Sequence, residues 1–128
     1  MSDKFTVEII SPDKSILNSQ ANEVTIPSYE GQMGILKDHI SLITFLRPGI
    51  IFIKDKEEKK YFVEEGTVEF SNNNLLILSS TVINIKDLSK EKISLIIYDA
   101  EQKIKNSTIK DKDKYVLSHK LDTLREIR

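Results

Sequence analysis

Cysteine and tryptophan are absent from this chain of 128 residues. Without cysteine there is no disulfide framework, no thiolate metal site and no thiol nucleophile, and the absence fits a reducing compartment. Four glycines and three prolines leave little room for a glycine-rich nucleotide cradle or a low-complexity linker. No apolar run approaches the ~18 residues that cross a bilayer. The opening Met1-Ser2-Asp3-Lys4-Phe5 leads straight into a strand-like pattern, so neither a signal peptide nor a transit peptide is expected. Any link to a membrane is therefore expected to be indirect, through a partner. Charge of one sign is also lacking, since the formal net charge is −1. Its distribution is uneven: residues 1–85 carry 8 basic and 12 acidic side chains, and residues 86–128 carry 11 and 8. The basic second part suits an acidic partner surface. No basic stripe interleaved with aromatics marks a nucleic-acid binder.

The residues that could carry chemistry are few. His39 follows Asp38 and lies two residues before Ser41, but no Gly-x-Ser-x-Gly elbow accompanies them. His119 stands on a helical pattern beside Lys120, and two histidines without a carboxylate cluster make a poor zinc site. Glu30-Gly31-Gln32-Met33-Gly34 has two glycines but no following Lys-Ser/Thr, so it is no P-loop. It reads as a strand-connecting loop with positive φ at Gly31 and Gly34. The adjacent carboxylates Glu57-Glu58 and Glu64-Glu65 would point to opposite faces of a strand rather than act as an acid/base pair. Neither a catalytic set, a metal site nor a cofactor is implied, and a role in interaction or regulation is the default.

What is present is a period-2 pattern followed by a period of 3.6. Phe5 to Ile9 and Glu23 to Pro27 alternate apolar and polar residues, as half-buried strands do. Leu42 to Leu46, Gly49 to Lys54, Tyr61 to Val63, Thr67 to Phe70, Leu75 to Leu78 and Val82 to Ile85 follow. Arg47-Pro48-Gly49, Asp55 to Glu58 and Asn72-Asn73 punctuate them as turns. Many short strands between turns predict a sandwich or barrel. Beyond Ile85 neither Gly nor Pro recurs. Ile93, Ile96, Ile97, Ala100 and Ile104 form one helical stripe, with Ser89 as N-cap and Glu91 in the first turn. Asn106-Ser107-Thr108 breaks the pattern. Leu117, Leu121, Leu124 and Ile127 form a second stripe on a helix expected to begin near Lys110 to Asp113. The reading is mainly β with α: a sandwich over residues 1–86, then a two-helix hairpin over 87–128. An isolated pair of such helices is marginal, so the hairpin must dock on the sandwich or on a partner.

The order of several short motifs points further. Val7-Glu8-Ile9-Ile10-Ser11-Pro12-Asp13, Val24-Thr25-Ile26-Pro27, Glu30 to Leu36 with His39, Leu46-Arg47-Pro48-Gly49-Ile50, Glu65 to Phe70 and Leu76-Ile77-Leu78 stand in sequence. In that order and spacing the chain resembles the epsilon-subunit family of bacterial F-type ATP synthases over nearly its whole length. Asp99-Ala100-Glu101 and Leu121 to Arg125 look like the alphaproteobacterial branch. The resemblance implies a ten-stranded β-sandwich and two C-terminal helices. It implies a non-catalytic rotor subunit that grips the gamma subunit, rests on the c-ring and couples proton flow to ATP synthesis. It also implies a place at the cytoplasmic face of the inner membrane, held peripherally through the complex.

By the same resemblance Ser11 and His39 match positions near gamma, and Glu30, Gln32 and Met33 lie in the loop that rests on the c-ring. Gln32 stands where a carboxylate is common, which removes an ion pair with a basic ring loop, although an amide still donates and accepts hydrogen bonds. Lys37-Asp38 and Ser41 replace a Pro-Gly and a Pro around His39. In many bacteria the family's helices extend along gamma and restrain ATP hydrolysis. Lys105, Lys110, Lys112, Lys114, Lys120 and Arg125 are the candidates to meet an acidic segment of the beta subunits. The family's Ile/Leu-Asp-x-x-Arg-Ala motif for ATP is not found, because Ala100-Glu101 follow Asp99 and the first helix has no arginine. The alternative is a free-standing β-sandwich that binds a small ligand.

Overall fold

The computed structural model describes residues 3–106 and 108–127. The chain's first two residues, and Ser107 within the expected break at Asn106-Ser107-Thr108, lie outside the described residues. Ten strands come first: β1 (Phe5–Ile10), β2 (Ser15–Ala21), β3 (Glu23–Ser28), β4 (Gly31–Leu36), β5 (Leu42–Leu46), β6 (Gly49–Lys54), β7 (Glu58–Val63), β8 (Gly66–Ser71), β9 (Asn74–Ser79) and β10 (Val82–Asn84). A 3-10 turn at Ile85–Asp87 leads into α1 (Lys90–Ile104) and α2 (Asp111–Ile127). The strands hydrogen-bond in the order β10-β7-β6-β3-β5-β8-β9-β1-β2, with β4 paired to β3. The link between β3 and β5 is a single pair, Ser28 with Leu46. There the sheet folds over, and its two halves pack face to face as the layers of a sandwich.

Alternation sets the core. In β1 the side chains of Phe5, Val7 and Ile9 are buried while Thr6, Glu8 and Ile10 are not. Ile51, Ile53, Tyr61, Val63, Val68, Phe70, Leu75 and Ile77 point into the same interior, where Phe5 and Phe70 meet edge to face with centroids 5.6 Å apart. Two strands escaped the residue-level reading. β2, SILNSQA, is a polar edge strand bonded only to β1. β4, GQMGIL, contains both glycines of the expected loop. That expectation is corrected here. The turn is Tyr29-Glu30, and residues 31–36 are the returning strand of a β3–β4 hairpin. Only Gly31 has positive φ, at 119°; Gly34 pairs with Thr25 in ordinary extended backbone. Pro27 also differs from expectation, since it lies within β3 rather than ending it. Its carbonyl accepts from Arg47 N–H at 3.0 Å. Asn72 and Asn73 do turn with positive φ, 50° and 59°.

The helices begin and dock as their stripes require. Ser89 caps α1, its hydroxyl accepting from Lys92 N–H at 3.2 Å. Ile93, Ile97 and Ala100 of α1 and Leu121 and Leu124 of α2 are buried in a second cluster around Phe62. Phe62 is reached because β7 is apolar on both faces: Tyr61 and Val63 point into the sandwich and Phe62 points out of it. Ile50, Ile83, Ile85, Leu88, Ile96, Ile104, Leu117 and Ile127 pack around the same cluster. Full burial of a Leu or Ile side chain contributes about 1.5–3 kcal/mol, so this second core is what holds the hairpin.

Two glycines give a direct test of the packing. At Gly66 a Cβ would stand 2.3 Å from the Leu78 carbonyl oxygen, which is backbone and cannot swing away. At Gly34 it would meet open space. Gly66→Ala should lower stability by about 2–3 kcal/mol. Gly34→Ala should be neutral or stabilising by a few tenths, through the loss of unfolded-chain freedom. Urea unfolding of the two variants side by side reads the difference.

Candidate functional site

The two outer faces of the sandwich are unequal. On the β10-β7-β6-β3 layer the hairpin covers Phe62 and Ile50. On the other layer the outward positions of β5, β8, β9 and β1 align in rows. Phe45 faces Thr67, Thr67 faces Leu78, and Leu78 faces Ile10. Beside them Ile43 faces Glu69, Glu69 faces Leu76, and Leu76 faces Glu8. Among the described residues nothing covers this face. Ile43 is 75% exposed, Phe45 59% and Leu78 41%, and Ile40 just before β5 is 78% exposed. Scattered exposed apolar residues are ordinary, but a contiguous patch rimmed by charge marks an interaction surface.

Two of the candidates from sequence, Ser11 and His39, fall at the ends of this face. Ser11 follows β1 at one end. Its N–H donates to the Lys14 carbonyl at 3.0 Å, and its hydroxyl to the same oxygen at 3.2 Å. It helps line an open groove of about 730 Å³ together with Tyr29, Phe45, Glu65, Leu78 and Lys112. His39 lies at the opposite end, before β5. Its Nδ1 is 2.7 Å from the Ile40 carbonyl, and its ring meets Phe70 edge to face. Asp38, at φ 67°, does not turn toward His39; its carboxylate accepts from the Asn73 amide at 2.9 Å. The Asp-His-Ser grouping is thus a turn and not a charge relay. Glu30 sits in the β3–β4 turn, its N–H donating to the Ser28 hydroxyl at 3.2 Å. Gln32 is exposed on β4, and Met33 packs against the sandwich core.

The basic residues of the hairpin divide in two. Lys105, Lys110, Lys112 and Lys114 are exposed. Lys120 instead bonds Glu64 at 2.6 Å, and Arg125 bonds Glu101 at 3.0 Å, so both are engaged within the chain while the helices are docked. Residues that sequence reading passed over complete the seam between α2 and the sandwich. Tyr29 stacks on Tyr115 with centroids 5.8 Å apart, and its hydroxyl donates to Glu65 at 3.0 Å. Burial, first, and that bond to a carboxylate, second, push the Tyr29 phenol up to about 12. Arg47, legible only as part of a turn, lies 3.3 Å from His119 Nε2. Thr123 donates to the Pro48 carbonyl at 3.4 Å. The exposed apolar positions had a signal that went unused: Leu42-Ile43-Thr44-Phe45-Leu46 is too apolar for a strand with one wet face.

A sandwich with one outer face closed by its own helices and the other bare and apolar defines a subunit of an assembly. The chain matches the family described as ATP synthase, Delta/Epsilon chain, beta-sandwich domain, over residues 4–85. It is 51% identical to the ATP synthase epsilon chain of Pelagibacter ubique, with 99% of each chain covered. It is 30% identical to the ATP synthase epsilon chain of Parvibaculum lavamentivorans, covering 100% of this chain and 98% of the relative. The fold is that of a chain in the Euglena gracilis mitochondrial ATP synthase, with a TM-score of 0.82 at 17% identity, covering 98% of this chain and 82% of the other. A chain of the Tetrahymena thermophila mitochondrial ATP synthase central stalk and c-ring matches at a TM-score of 0.61 and 16% identity, covering 95% and 92%. The chain belongs to the delta/epsilon chain family of ATP synthase, as an epsilon chain.

The Tyr29 environment gives a measurable signature. In a phenolate absorbance titration one tyrosine should ionise only near pH 12. Glu65→Gln, which removes the carboxylate charge, should bring that midpoint down by about a unit while leaving the Tyr115 stack in place.

Proposed function

We propose that this chain holds the central stalk together and couples proton flow through the c-ring to ATP synthesis, with the bare sheet face as its seat on the gamma subunit. The observation that carries the reading is the position of that face. Ser11 and His39, the two residues that the family resemblance assigns to gamma, lie at its opposite ends, with Phe45, Leu78, Ile43 and Ile40 exposed between or beside them. Apolar burial is the main source of tight association, and an uncovered aromatic such as Phe45 is a typical anchor.

The β3–β4 turn with Glu30, and Gln32 and Met33 after it, is the proposed rest on the c-ring. Residues 1–86 form the docking unit and residues 87–128 the regulatory one. The second core holds the helices in the docked state. Lys105, Lys110, Lys112 and Lys114 are already exposed to an acidic segment of the beta subunits. Lys120 and Arg125 reach such a segment only after leaving Glu64 and Glu101. Among the described residues no helix is long and apolar enough to cross a membrane; the proposed place, peripheral at the cytoplasmic face of the inner membrane, comes from assembly into the complex. A free-standing ligand-binding module is the less favoured reading, because it leaves the apolar face without a purpose.

Calorimetry of this chain with its own gamma subunit tests the seat. One-to-one nanomolar binding is expected. Phe45→Asp and Ile43→Asp should each weaken it at least tenfold, equivalent to ~1.4 kcal/mol or more, with little change in melting temperature because both side chains are exposed. Wild-type binding unaffected by either change would place gamma elsewhere. In the assembled enzyme, removing residues after Leu88, with Ile50 and Phe62 changed to Thr to keep the uncovered face soluble, should raise ATP hydrolysis severalfold. Unchanged hydrolysis would remove the restraining role.

A further inference from the structure

We propose that His119 and Arg47 form an acid-sensitive latch, in which protonation of the imidazole releases α2 from the end of the sandwich. Arg47 Nη1 lies 3.3 Å from His119 Nε2. A guanidinium only donates hydrogen bonds and does not lose its proton in proteins, so this contact requires Nε2 to be unprotonated and to accept. Adding a proton there converts the acceptor to a donor and sets two cations against each other in a part-buried site.

The surroundings decide the outcome. From the sandwich, Arg47 and Lys60 line the cleft against α2 with positive charge. From α2 itself, Asp122 and Glu126 line it with negative charge, and Tyr115 meets the imidazole edge to face at 4.5 Å. Lys120, the next residue, is neutralised by Glu64. Burial and Arg47 outweigh Asp122, and the His119 pKa lies below its ordinary 6.5. The undocked helix therefore binds the proton more readily than the docked one. Docking is strongest above about pH 6.5, weakens as the pH falls through that value, and stops weakening once the pH is below the lowered pKa of the docked state.

His119 is placed where its loss spreads. It packs on Tyr115, which stacks on Tyr29. Four residues on, the single Thr123 hydroxyl proton lies between the His119 carbonyl, at 2.8 Å, and the Pro48 carbonyl next to Arg47, at 3.4 Å. These ties hold one side of α2, whereas α1 keeps its own contacts to Phe62 through Ile93 and Ile97. Release is thus confined to α2 at first. In the assembled synthase, acidification would make the hairpin easier to mobilise; that consequence rests on the hairpin reading above, and the latch itself does not.

The test uses the full chain alone. The imidazole signals of His119 and the ring signals of Tyr29 and Tyr115 are followed by NMR from pH 8 to 5, along with α2 amide exchange corrected for its intrinsic pH dependence. The tyrosine signals should move with the His119 midpoint, and α2 protection should fall as the imidazole takes up its proton. His119→Gln keeps an acceptor for Arg47 without a titrating proton and should flatten both responses while α2 stays docked. Arg47→Gln should raise the His119 midpoint. Tyrosine signals and α2 protection that stay constant while His119 titrates would overturn the latch, as would an acid response that persists in His119→Gln. The deletion experiment on ATP hydrolysis has no bearing on these readouts, so the two ideas fail separately.

Discussion

The structure depends on strands that are apolar on both faces. β6 sends Ile51 and Ile53 into the sandwich and Ile50 outward, and β7 sends Tyr61 and Val63 inward and Phe62 outward. A sheet built this way has to be covered twice, once by its partner layer and once from outside. The helices supply the second cover, each with a single stripe and too little intrinsic stability to stand alone. Hairpin and sheet thus complete each other, and the docked state follows from a shared need to hide Phe62, Ile93, Ile97, Leu121 and Leu124 from water.

The opposite layer has the same excess of apolar surface without a cover of its own. Phe45, Leu78 and Ile43 stay in water, with Glu69 and Glu8 between and beside them. An isolated protein gains nothing from such a face. Such a face becomes a core only when another surface lies on it, which is the use the proposed function gives it. On that reading the asymmetry between the two layers separates a permanent contact from an exchangeable one. Under the proposed function the bare face receives a partner, and the hairpin's seat, filled by the chain's own helices, is traded for another.

How easily it is traded depends on a few contacts at one end. Among the described residues, an aromatic stack, a Lys-Glu pair, an Arg-His contact and a hydroxyl-carbonyl bond lie between α2 and the turns of the sandwich. A partly screened pair such as Lys120–Glu64 contributes on the order of 1 kcal/mol or less, and the Arg47–His119 contact changes sign with a single proton. A seam of this kind sets the position of a helix without binding it irreversibly.

Much of this was legible in the residues. Alternation in β1, β3 and β6 to β9, the asparagine turn, the Ser89 cap and both helical stripes determined the class of fold, because each is a local rule in which the side chains decide the backbone. β2 and β4 were not legible residue by residue, since a polar edge strand and a glycine-bearing one satisfy their backbone bonds without showing a pattern. The motif order that pointed to the epsilon family singled out Ser11, Glu30 to Met33 and His39 as candidates. It could not show that Ser11 and His39 lie at the two ends of one apolar face, because that face is assembled from β1, β5, β8 and β9 by register across strands far apart in sequence. Nor could it pair Arg47 with His119 or Glu64 with Lys120, more than fifty residues away in each case. By itself the sequence determined which segments are strands and helices and which side of each avoids water. Only the tertiary structure decided which avoided surface is closed by the chain itself and which is left for a partner, because a period shows that a face must be buried but not what it is buried against.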